Sequence, residues 1–293
     1  MKKEKPILEI IKLKKYYGKI RGVEEVSIKL NKGEVYGFIG PNGSGKSTTL
    51  KTIMNLINKT SGSIYINGKE NNKDDLEIKK IIGYLPSEIS LYEDLTVKEI
   101  LDFHESFYQK NLTRRRKKLV KLLKVDETKK IEDLSLGNLK KVGIILSLLH
   151  EPKILILDEP TSGLDPIMQN TFFQILLEEK EKGTTILYST HILSELNKIC
   201  DRIGFIKDGK IIEENTIENI EKNNVTYVTI ESNDIENIKK ELNLKVVSEQ
   251  NNTIKLLNNL NPNELMNKIS KYQIDKLRIE EVTIEDLFLE YYE

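Results

Sequence analysis

The residues best suited to chemistry form a glycine-rich run near the start of the chain. The run comprises Gly40, Pro41, Asn42, Gly43, Ser44, Gly45, Lys46, Ser47 and Thr48. It fits the pattern G-x-x-x-x-G-K-[ST], whose glycines let successive backbone N–H groups converge on phosphate oxygens. Lys46 would add a point charge for the β- and γ-phosphates, and the Ser47 hydroxyl is suited to ligate Mg²⁺. The run therefore predicts a nucleoside triphosphate site that uses magnesium.

The segments on either side of this run support that prediction. Glu34–Ile39 is typical of a short buried strand, and Thr48–Ile57 carries apolar residues at helical spacing. A helix that begins at the loop would point its positive end at the phosphates. The alternative is an ordinary glycine and serine turn that happens to end in lysine, and the flanking strand and helix argue against it.

A second group of polar residues follows an apolar strand at Ile154–Leu157. Asp158 and Glu159 would lie at the sheet edge where α/β proteins place their ligands, although a polar turn is the alternative. Asp158 can hold Mg²⁺ through water, and Glu159 can polarise the water that attacks the γ-phosphate. A weaker signal comes from Ser135 and Gly137, which begin an apolar helix and can offer a hydroxyl and N–H groups to a phosphate.

One of the three histidines stands in a position that favours function. His191 follows the apolar strand at Thr184–Tyr188, and its strand end lies on the same sheet edge as Glu159. A lone histidine is more often structural than catalytic, which is our interpretation of His104 and His150.

Length and composition restrict the class of protein only broadly. The 293 residues suffice for one well-buried domain and a small second one. Lys+Arg and Asp+Glu are 46 each, so no overall charge draws the chain to nucleic acid or anionic lipid. Cys200 is the only cysteine and is expected to pack in the interior. Without a bilayer-spanning apolar run or the apolar core of a signal peptide, the chain is expected to be soluble and cytoplasmic.

The apolar pattern changes along the first three quarters of the chain. Residues 7–39 alternate apolar and polar positions, which predicts an antiparallel sheet leading into the phosphate loop. Further strands are predicted at Gly62–Gly68 and Ile81–Leu85. Later apolar runs, each following a helical stretch, indicate a mainly parallel sheet that is covered on both faces.

Helices are predicted between Leu95 and Lys124, with two apolar faces. One face comprises Val97, Ile100, Leu101, Phe107 and Tyr108, and the other Leu119, Val120, Leu122 and Leu123. The basic run Arg114–Lys118 could contact nucleic-acid phosphates. We favour a solvated helix face instead, because no aromatic residues interleave the run.

The character changes again near residue 223. Segments at Val225–Ile230, Ile235–Leu242, Lys245–Val247, Thr253–Leu257, Asn263–Tyr272 and Lys276–Ile279 give the order β-α-β-β-α-β. This order predicts a small ferredoxin-like domain, in which we find no catalytic constellation.

In order and spacing, these motifs resemble those of the ATP-binding cassette (ABC) ATPases over roughly residues 7–220. Gly40–Thr48 corresponds to the Walker A loop, Ser135–Asn138 to the LSGGQ signature, Leu157–Glu159 to the end of Walker B, Ser162–Asp165 to the D-loop and His191 to the switch histidine. The resemblance implies an α/β P-loop NTPase cassette with an antiparallel β-subdomain and a helical subdomain, plus a small α+β C-terminal domain. The expected bounds are 1–222 for the ATPase domain, about 87–140 for its helical subdomain, and 223–293 for the accessory domain.

The resemblance also implies the ligands and partners. Tyr17 stands where the family stacks an aromatic ring on adenine, with a buried strand tyrosine as the alternative. ATP with Mg²⁺ would lie between the Walker A loop of one subunit and Ser135 and Gly137 of another, near Asp165 of the D-loop. A homodimer or heterodimer that forms with ATP is therefore expected.

Two positions depart from the family pattern. Leu136 replaces one signature glycine, but Ser135 and Gly137, the phosphate-facing positions, are kept, so binding should persist. Ser87 stands where the family supplies a glutamine that touches Mg²⁺ and senses the partner. Ser87 could ligate through its hydroxyl or a water, or Glu88 could take that role.

These features resemble bacterial exporter ATPases that are encoded apart from their membrane permease, including those associated with antibiotic resistance. We therefore expect an ATP-hydrolysing subunit that binds an integral-membrane permease at the inner face of the cell membrane. One alternative is a soluble ABC ATPase acting on ribosomes or nucleic acid, but the chain lacks a second cassette or a long coiled-coil insertion. No nucleic-acid partner is expected. A regulatory ATPase without transport is the other alternative.

Overall fold

The computed structural model describes residues 5–71, 75–222 and 226–281. The chain divides into two compact units, Met1–Thr216 and Ile217–Glu293. The division falls shortly before the domain boundary at residue 222 that the sequence predicts.

One sheet of ten strands organises the first unit. Its strands are β1 (Leu8–Tyr17), β2 (Ile20–Leu30), β3 (Val35–Ile39), β4 (Ser61–Ile66), β5 (Lys69–Glu70), β6 (Ile82–Leu85), β7 (Ile154–Asp158), β8 (Thr185–Thr190), β9 (Arg202–Lys207) and β10 (Lys210–Thr216). They lie in the order β5-β4-β1-β2-β10-β9-β3-β8-β7-β6. The strands β1, β2, β4 and β5 pair antiparallel, as expected for the β-subdomain.

The other half of the sheet is parallel and carries the phosphate loop. Strands β9, β3, β8, β7 and β6 pair in parallel in that order. Every residue of β3, β7 and β8 is buried, so both faces of these strands are covered. The prediction that an antiparallel sheet leads into the loop was wrong for β3, because a short apolar run fits either kind of pairing.

The helices of the first unit lie between these strands in the chain. They are α1 (Lys46–Ile53), α2 (Leu76–Lys80), α3 (Val97–Glu105), α4 (Thr113–Leu123), α5 (Leu136–Leu149), α6 (Pro166–Glu181) and α7 (Leu193–Ile199). Helix α1 ends before the predicted Ile57, since Asn55 has a left-handed φ of 54°. Within the described segments, we find no helix with the length and apolar character needed to cross a bilayer.

The apolar faces of the helical region are only partly as predicted. Side chains on α3 and α4 that are buried include Val97, Ile100, Leu119 and Leu123. The prediction for Phe107 was wrong, because α3 ends at Glu105 and leaves this ring 58% exposed.

Ion pairs hold α4 against its neighbours. Arg115 Nη2 lies 2.8 Å from Glu179 Oε1 on α6, and these side chains are 9% and 2% exposed. Arg116 lies 2.5 Å from Asp102 on α3 and 2.6 Å from Glu127. The interpretation of residues 114–118 as a solvated face was therefore wrong for its two central arginines, which anchor the helical region.

The second unit has its own sheet and core. Its elements are α8 (Ile217–Lys222), β11 (Thr226–Glu231), α9 (Ile235–Leu242), β12 (Lys245–Gln250), β13 (Thr253–Asn258), α10 (Pro262–Ile269) and β14 (Lys276–Glu281). The antiparallel sheet has the order β12-β13-β11-β14 and packs around Val228, Ile230, Ile238, Leu256 and Leu265. From β11 onward, the elements follow the predicted β-α-β-β-α-β order.

Two histidines form an aromatic cluster with Tyr108, in which His150 is buried and the other two rings are half-buried. The rings of His104 and His150 lie 5.5 Å apart, and Tyr108 stacks on His150 at 4.6 Å. His150 Nε2 lies 3.1 Å from the carbonyl oxygen of Ile82, which joins the cluster to β6. Burial lowers the pKa of each histidine to about 4, and the interpretation of both as structural agrees with their burial.

This cluster predicts that acid destabilises the fold. An unfolded histidine binds its proton near pH 6.5, whereas these two stay neutral in the folded protein until about pH 4. The unfolded state therefore binds more protons between these values, and stability falls as the pH drops from 7 toward 4. We expect a loss on the order of 1–3 kcal/mol per histidine. Urea unfolding at pH 7, 6 and 5 measures it.

The double variant His104→Phe with His150→Phe separates this effect from carboxylate protonation. Its stability should fall less steeply with acid than that of the wild type. Phe172→Leu, at a buried side chain that carries no titratable group, is the control for general destabilisation and should keep the wild-type slope. Equal slopes for the double variant and the wild type would contradict the assignment.

Candidate functional site

Two glycines of the phosphate loop are required by close backbone contacts. A Cβ at Gly40 would lie 2.3 Å from the carbonyl oxygen of Ile206, and one at Gly45 would lie 2.7 Å from that of Gly22. Gly45 also has a φ of 108°, which side chains disfavour, and it is the N-cap of α1. The loop therefore wraps tightly between β3 and α1 and leaves the helix N-terminus available to an anion.

Lys46 is buried within this loop. Its Nζ donates hydrogen bonds to the carbonyl oxygens of Gly40 at 2.6 Å and Pro41 at 3.1 Å. Burial lowers the pKa of Lys46, and the charges of Glu159 and Asp158 oppose that shift. The ammonium thus lies between the loop and two carboxylates, where a polyphosphate could replace its carbonyl partners.

A cleft of about 280 Å³ opens beside the loop. Its lining consists of Tyr17, Ile20, Arg21, Gly22, Asn42, Gly43, Gly45, Lys46, Ser47, Thr48 and Glu159. Tyr17 is 46% exposed, so the alternative of a buried strand tyrosine was wrong. A larger cleft, of about 470 Å³, lies near Lys153 and Lys182 and contains no predicted site residue. The loop chemistry therefore favours the smaller cleft as the candidate nucleotide site.

The end of β7 supplies a carboxylate that fits a magnesium ion. Asp158 is fully buried, and its Oδ1 accepts a hydrogen bond from Ser189 Oγ at 2.9 Å. Among the residues that the structure describes, its Oδ2 has no hydrogen-bond partner, nor do the buried hydroxyls of Ser44 and Tyr84. Buried polar atoms without partners call for a ligand or water. Hydroxyl and carboxylate oxygens suit Mg²⁺, so Ser47 and Asp158 form a fitting donor set.

Glu159 and His191 come together at this edge, as their strand ends predicted. His191 Nδ1 lies 3.1 Å from Glu159 Oε1. Glu159 has a left-handed φ of 46°, and its N–H donates to the carbonyl oxygen of Ser189 at 3.0 Å. Strained backbone of this kind persists where the surroundings fix it, often at functional sites. A carboxylate held beside an imidazole can accept a proton from water while the imidazole contacts a phosphate.

A buried carboxylate that the sequence analysis missed connects the two loops. Glu195, on α7, is 3% exposed and accepts hydrogen bonds from Thr161 Oγ1 at 2.5 Å and Thr190 Oγ1 at 2.7 Å. Thr161 closely follows the predicted catalytic glutamate, and Thr190 precedes the predicted catalytic histidine. Glu195 therefore fixes the relative position of both loops. In the sequence it looks like any glutamate of an amphipathic helix.

The signature residues lie outside the nucleotide cleft of their own chain. Ser135 is the N-cap of α5 and accepts a hydrogen bond from the N–H of Asn138 at 3.4 Å. Leu136 is 83% exposed. A Cβ at Gly137 would lie 2.6 Å from the carbonyl oxygen of Gly163. A side chain would therefore clash at position 137, whereas the leucine at position 136 points into open space.

Two other predicted residues have structural contacts. Asp165 caps α6, because its Oδ1 accepts hydrogen bonds from the N–H groups of Ile167 and Met168, each at 3.0 Å. Ser87 lines a third cleft, of about 290 Å³, together with Leu136. Their predicted contacts with nucleotide and metal remain predictions.

Known proteins share this arrangement. Residues 23–162 match the ABC transporter family. The lantibiotic transport ATP-binding protein SrtF of Streptococcus pyogenes is 41% identical over 222 residues, which cover 73% of this chain and 93% of SrtF. The bacitracin transport ATP-binding protein BcrA of Bacillus licheniformis is 37% identical over 227 residues, covering 76% of this chain and 74% of BcrA.

A solved structure extends the likeness to three dimensions. The ABC cassette MJ0796, in a dimeric post-hydrolysis state bound to ADP and Pi, has a TM-score of 0.65 and is 28% identical. The match covers 72% of this chain and 98% of the cassette.

The geometry at Glu159 predicts the effect of removing its charge. In Glu159→Gln, ATP should still bind, but the side chain can no longer accept a proton from water. We expect kcat for ATP hydrolysis to fall about 10²- to 10⁴-fold with little change in ATP affinity. Phosphate release and equilibrium nucleotide binding measure the two quantities. Glu181→Gln, an exposed glutamate at the end of α6, is the matched control.

Lys46→Ala should affect ATP affinity, which Glu159→Gln leaves nearly unchanged. Because it removes the cation within the phosphate loop, it should lose nucleotide binding itself. Wild-type turnover in Glu159→Gln would exclude Glu159 as the base.

Proposed function

This chain belongs to the ABC transporter ATP-binding proteins, and we propose that it hydrolyses ATP to power export through a separate integral-membrane permease. The observation that carries the proposal is the pairing of Glu159 with His191 beside the phosphate loop. Support for export comes from SrtF and BcrA, whose names assign them to lantibiotic and bacitracin transport. The substrate would bind the permease, so its identity lies outside this chain.

Each residue of the site has a proposed role in hydrolysis. The phosphate loop, Gly40–Thr48, binds the triphosphate through backbone N–H groups, and Tyr17 contacts the adenine. Ser47 and Asp158, the latter through water, hold Mg²⁺, which neutralises phosphate charge when bound. Glu159 accepts the proton of the attacking water, and His191 orients the γ-phosphate.

A complete site is proposed to need two subunits. Ser135 and Gly137 do not line the nucleotide cleft of their own chain, and Leu136 is open to solvent. An ATP-dependent homodimer or heterodimer would place these residues, and Asp165, against the partner's nucleotide. MJ0796 is a dimer bound to ADP and Pi, which supports this arrangement.

The helical region offers the surface proposed to contact the permease. Tyr92 is 67% exposed, and Phe103 and Phe107 form an exposed edge-to-face pair with ring centroids 4.9 Å apart. Exposed aromatic residues are typical of protein interfaces. Ile89, in the loop that follows β6, is half-buried and packs against α5, because a Cβ at Gly143 would lie 2.4 Å from its Cδ1.

The proposed location is the cytoplasmic side of the membrane, where ATP is available and the permease would hold the chain. Nucleic-acid binding is not favoured, because the central arginines of the basic run are engaged in ion pairs within the protein.

A prediction for Ser87 follows from the proposed metal site. If Ser47, the phosphates and waters oriented by Asp158 hold Mg²⁺, Ser87→Ala should lower kcat by no more than about fivefold, since a hydroxyl through water is a weak ligand. Ser87→Gln should be tolerated. Steady-state ATPase assays over a Mg²⁺ series check both. A loss in Ser87→Ala as deep as that in Glu159→Gln would show that Ser87 is essential.

The exposed aromatic surface at Tyr92, Phe103 and Phe107 predicts that a variant there loses membrane association but keeps ATPase activity. Phe103→Glu should release the protein from the membrane fraction of its native cells, because it places a charge in the permease contact. ATPase activity of the purified chain should stay unchanged. Leu76→Glu, at a leucine that is 65% exposed on α2, is the control. Recovery of the wild-type protein with ribosomes or DNA, and none with membranes, would contradict the exporter proposal.

A further inference from the structure

Lys140 is a buried lysine on α5 for which the site described above provides no role. Only 4% of the residue is exposed. Burial lowers the pKa of Lys140, and the charges of Asp158 and Glu159 oppose the shift, so its ammonium lies within electrostatic reach of both carboxylates. A buried ammonium is costly unless hydrogen bonds compensate for lost hydration, so its contacts are informative.

Those contacts are with the loop that follows β6. Lys140 Nζ donates to the carbonyl oxygen of Ser87 at 3.0 Å and to that of Pro86 at 3.4 Å. Leu85 pairs with Leu157 in the parallel sheet, so this loop begins level with Asp158. The ammonium therefore holds the backbone of the loop at the position where the sequence has lost the expected glutamine side chain.

The same helix carries the residues proposed to face a partner. Lys140 lies one turn after Leu136, and both line the 290 Å³ cleft with Ser87. Ser135 caps this first turn, and Gly137 packs closely on Gly163. One side chain thus connects the loop beside the chain's own catalytic carboxylates to the helix end that would meet the partner's nucleotide.

We propose that Lys140 is a positioning residue that couples the loop at Pro86–Ser87 to the first turn of α5. The role rests on the proposed dimer, because only there does the first turn of α5 meet a nucleotide. If the loop moved alone, the buried ammonium would lose its hydrogen bonds to the carbonyl oxygens, which is costly in free energy. A movement of the loop together with α5 keeps these hydrogen bonds and therefore costs less. The hydrogen bonds from Lys140 to the loop carbonyl oxygens thereby provide the coupling that the short side chain of Ser87 cannot provide.

Lys140→Met tests the coupling, because methionine keeps an unbranched apolar stem and removes the charge and its hydrogen bonds. We expect kcat for ATP hydrolysis to fall at least about tenfold while ATP affinity of the isolated chain stays within about twofold, since the phosphate loop is untouched. In a Glu159→Gln background, ATP-induced dimerisation should need at least about tenfold more protein. Lys121→Met, at an exposed lysine on α4, is the matched control. It makes the same change of side chain away from the loop and the signature, so both values should stay unchanged.

A second variant keeps the test decisive if Lys140→Met folds poorly. Lys140→Gln retains a donor for one carbonyl without the charge and should give an intermediate loss of kcat, again with ATP affinity unchanged. Wild-type kcat and dimerisation in both variants would overturn the inference, as would a loss of ATP binding equal to the loss of kcat. Failure of the wild-type protein to hydrolyse ATP or to dimerise would instead count against the proposed function.

Discussion

The parallel pairing of β3 and β7 on either side of β8 is the constraint on which the rest of the structure depends. Val35–Ile39 pairs with Ile186–Thr190, and Ile154–Asp158 pairs with the same strand on its other side. Since parallel strands end at one edge, this pairing brings the phosphate loop, the acidic pair and His191 together from distant parts of the sequence. Burial on both faces stabilises the three strands and keeps their ends in register.

The edge that results brings opposite charges together. Asp158 and Glu159 lie within electrostatic reach of two buried ammonium groups, Lys46 from the phosphate loop and Lys140 from α5, and their charges oppose the lowering of both lysine pKa values by burial. Neither lysine forms an ion pair within 4 Å in the described part of the chain; both are held by backbone carbonyl oxygens. The carbonyl oxygens compensate for part of the desolvation of both cations. Lys46 lines the nucleotide cleft and is available to a bound polyphosphate, whereas Lys140 holds the loop at Pro86–Ser87. The hydroxyl groups bonded to Glu195 then fix the two loops that carry Glu159 and His191.

The residues suited to chemistry could be predicted because they form local patterns in the sequence. The contacts between residues distant in the sequence could not be predicted. The glycine spacing of Gly40–Thr48 and the acidic residues after β7 are contiguous in the sequence, so their chemistry could be inferred directly. The pairing partners of β3 and the ion pairs of Arg115 connect residues far apart in the chain, and no local signal reports them. Lys140 and Glu195 resemble ordinary charged helix residues, and only the tertiary structure shows that both are buried beside the site.

A complete ATP site is proposed to form between the phosphate loop of one subunit and the signature of another. Complementation between two inactive variants tests this arrangement. One variant carries Lys46→Ala with Glu159→Gln and an intact signature; the other carries Ser135→Arg and an intact phosphate loop. Each alone should be inactive, and mixing them should restore measurable ATP hydrolysis, because mixed dimers contain one complete site. Full activity of Ser135→Arg alone would contradict the claim, as would a mixture of inactive variants that dimerises without regaining any turnover.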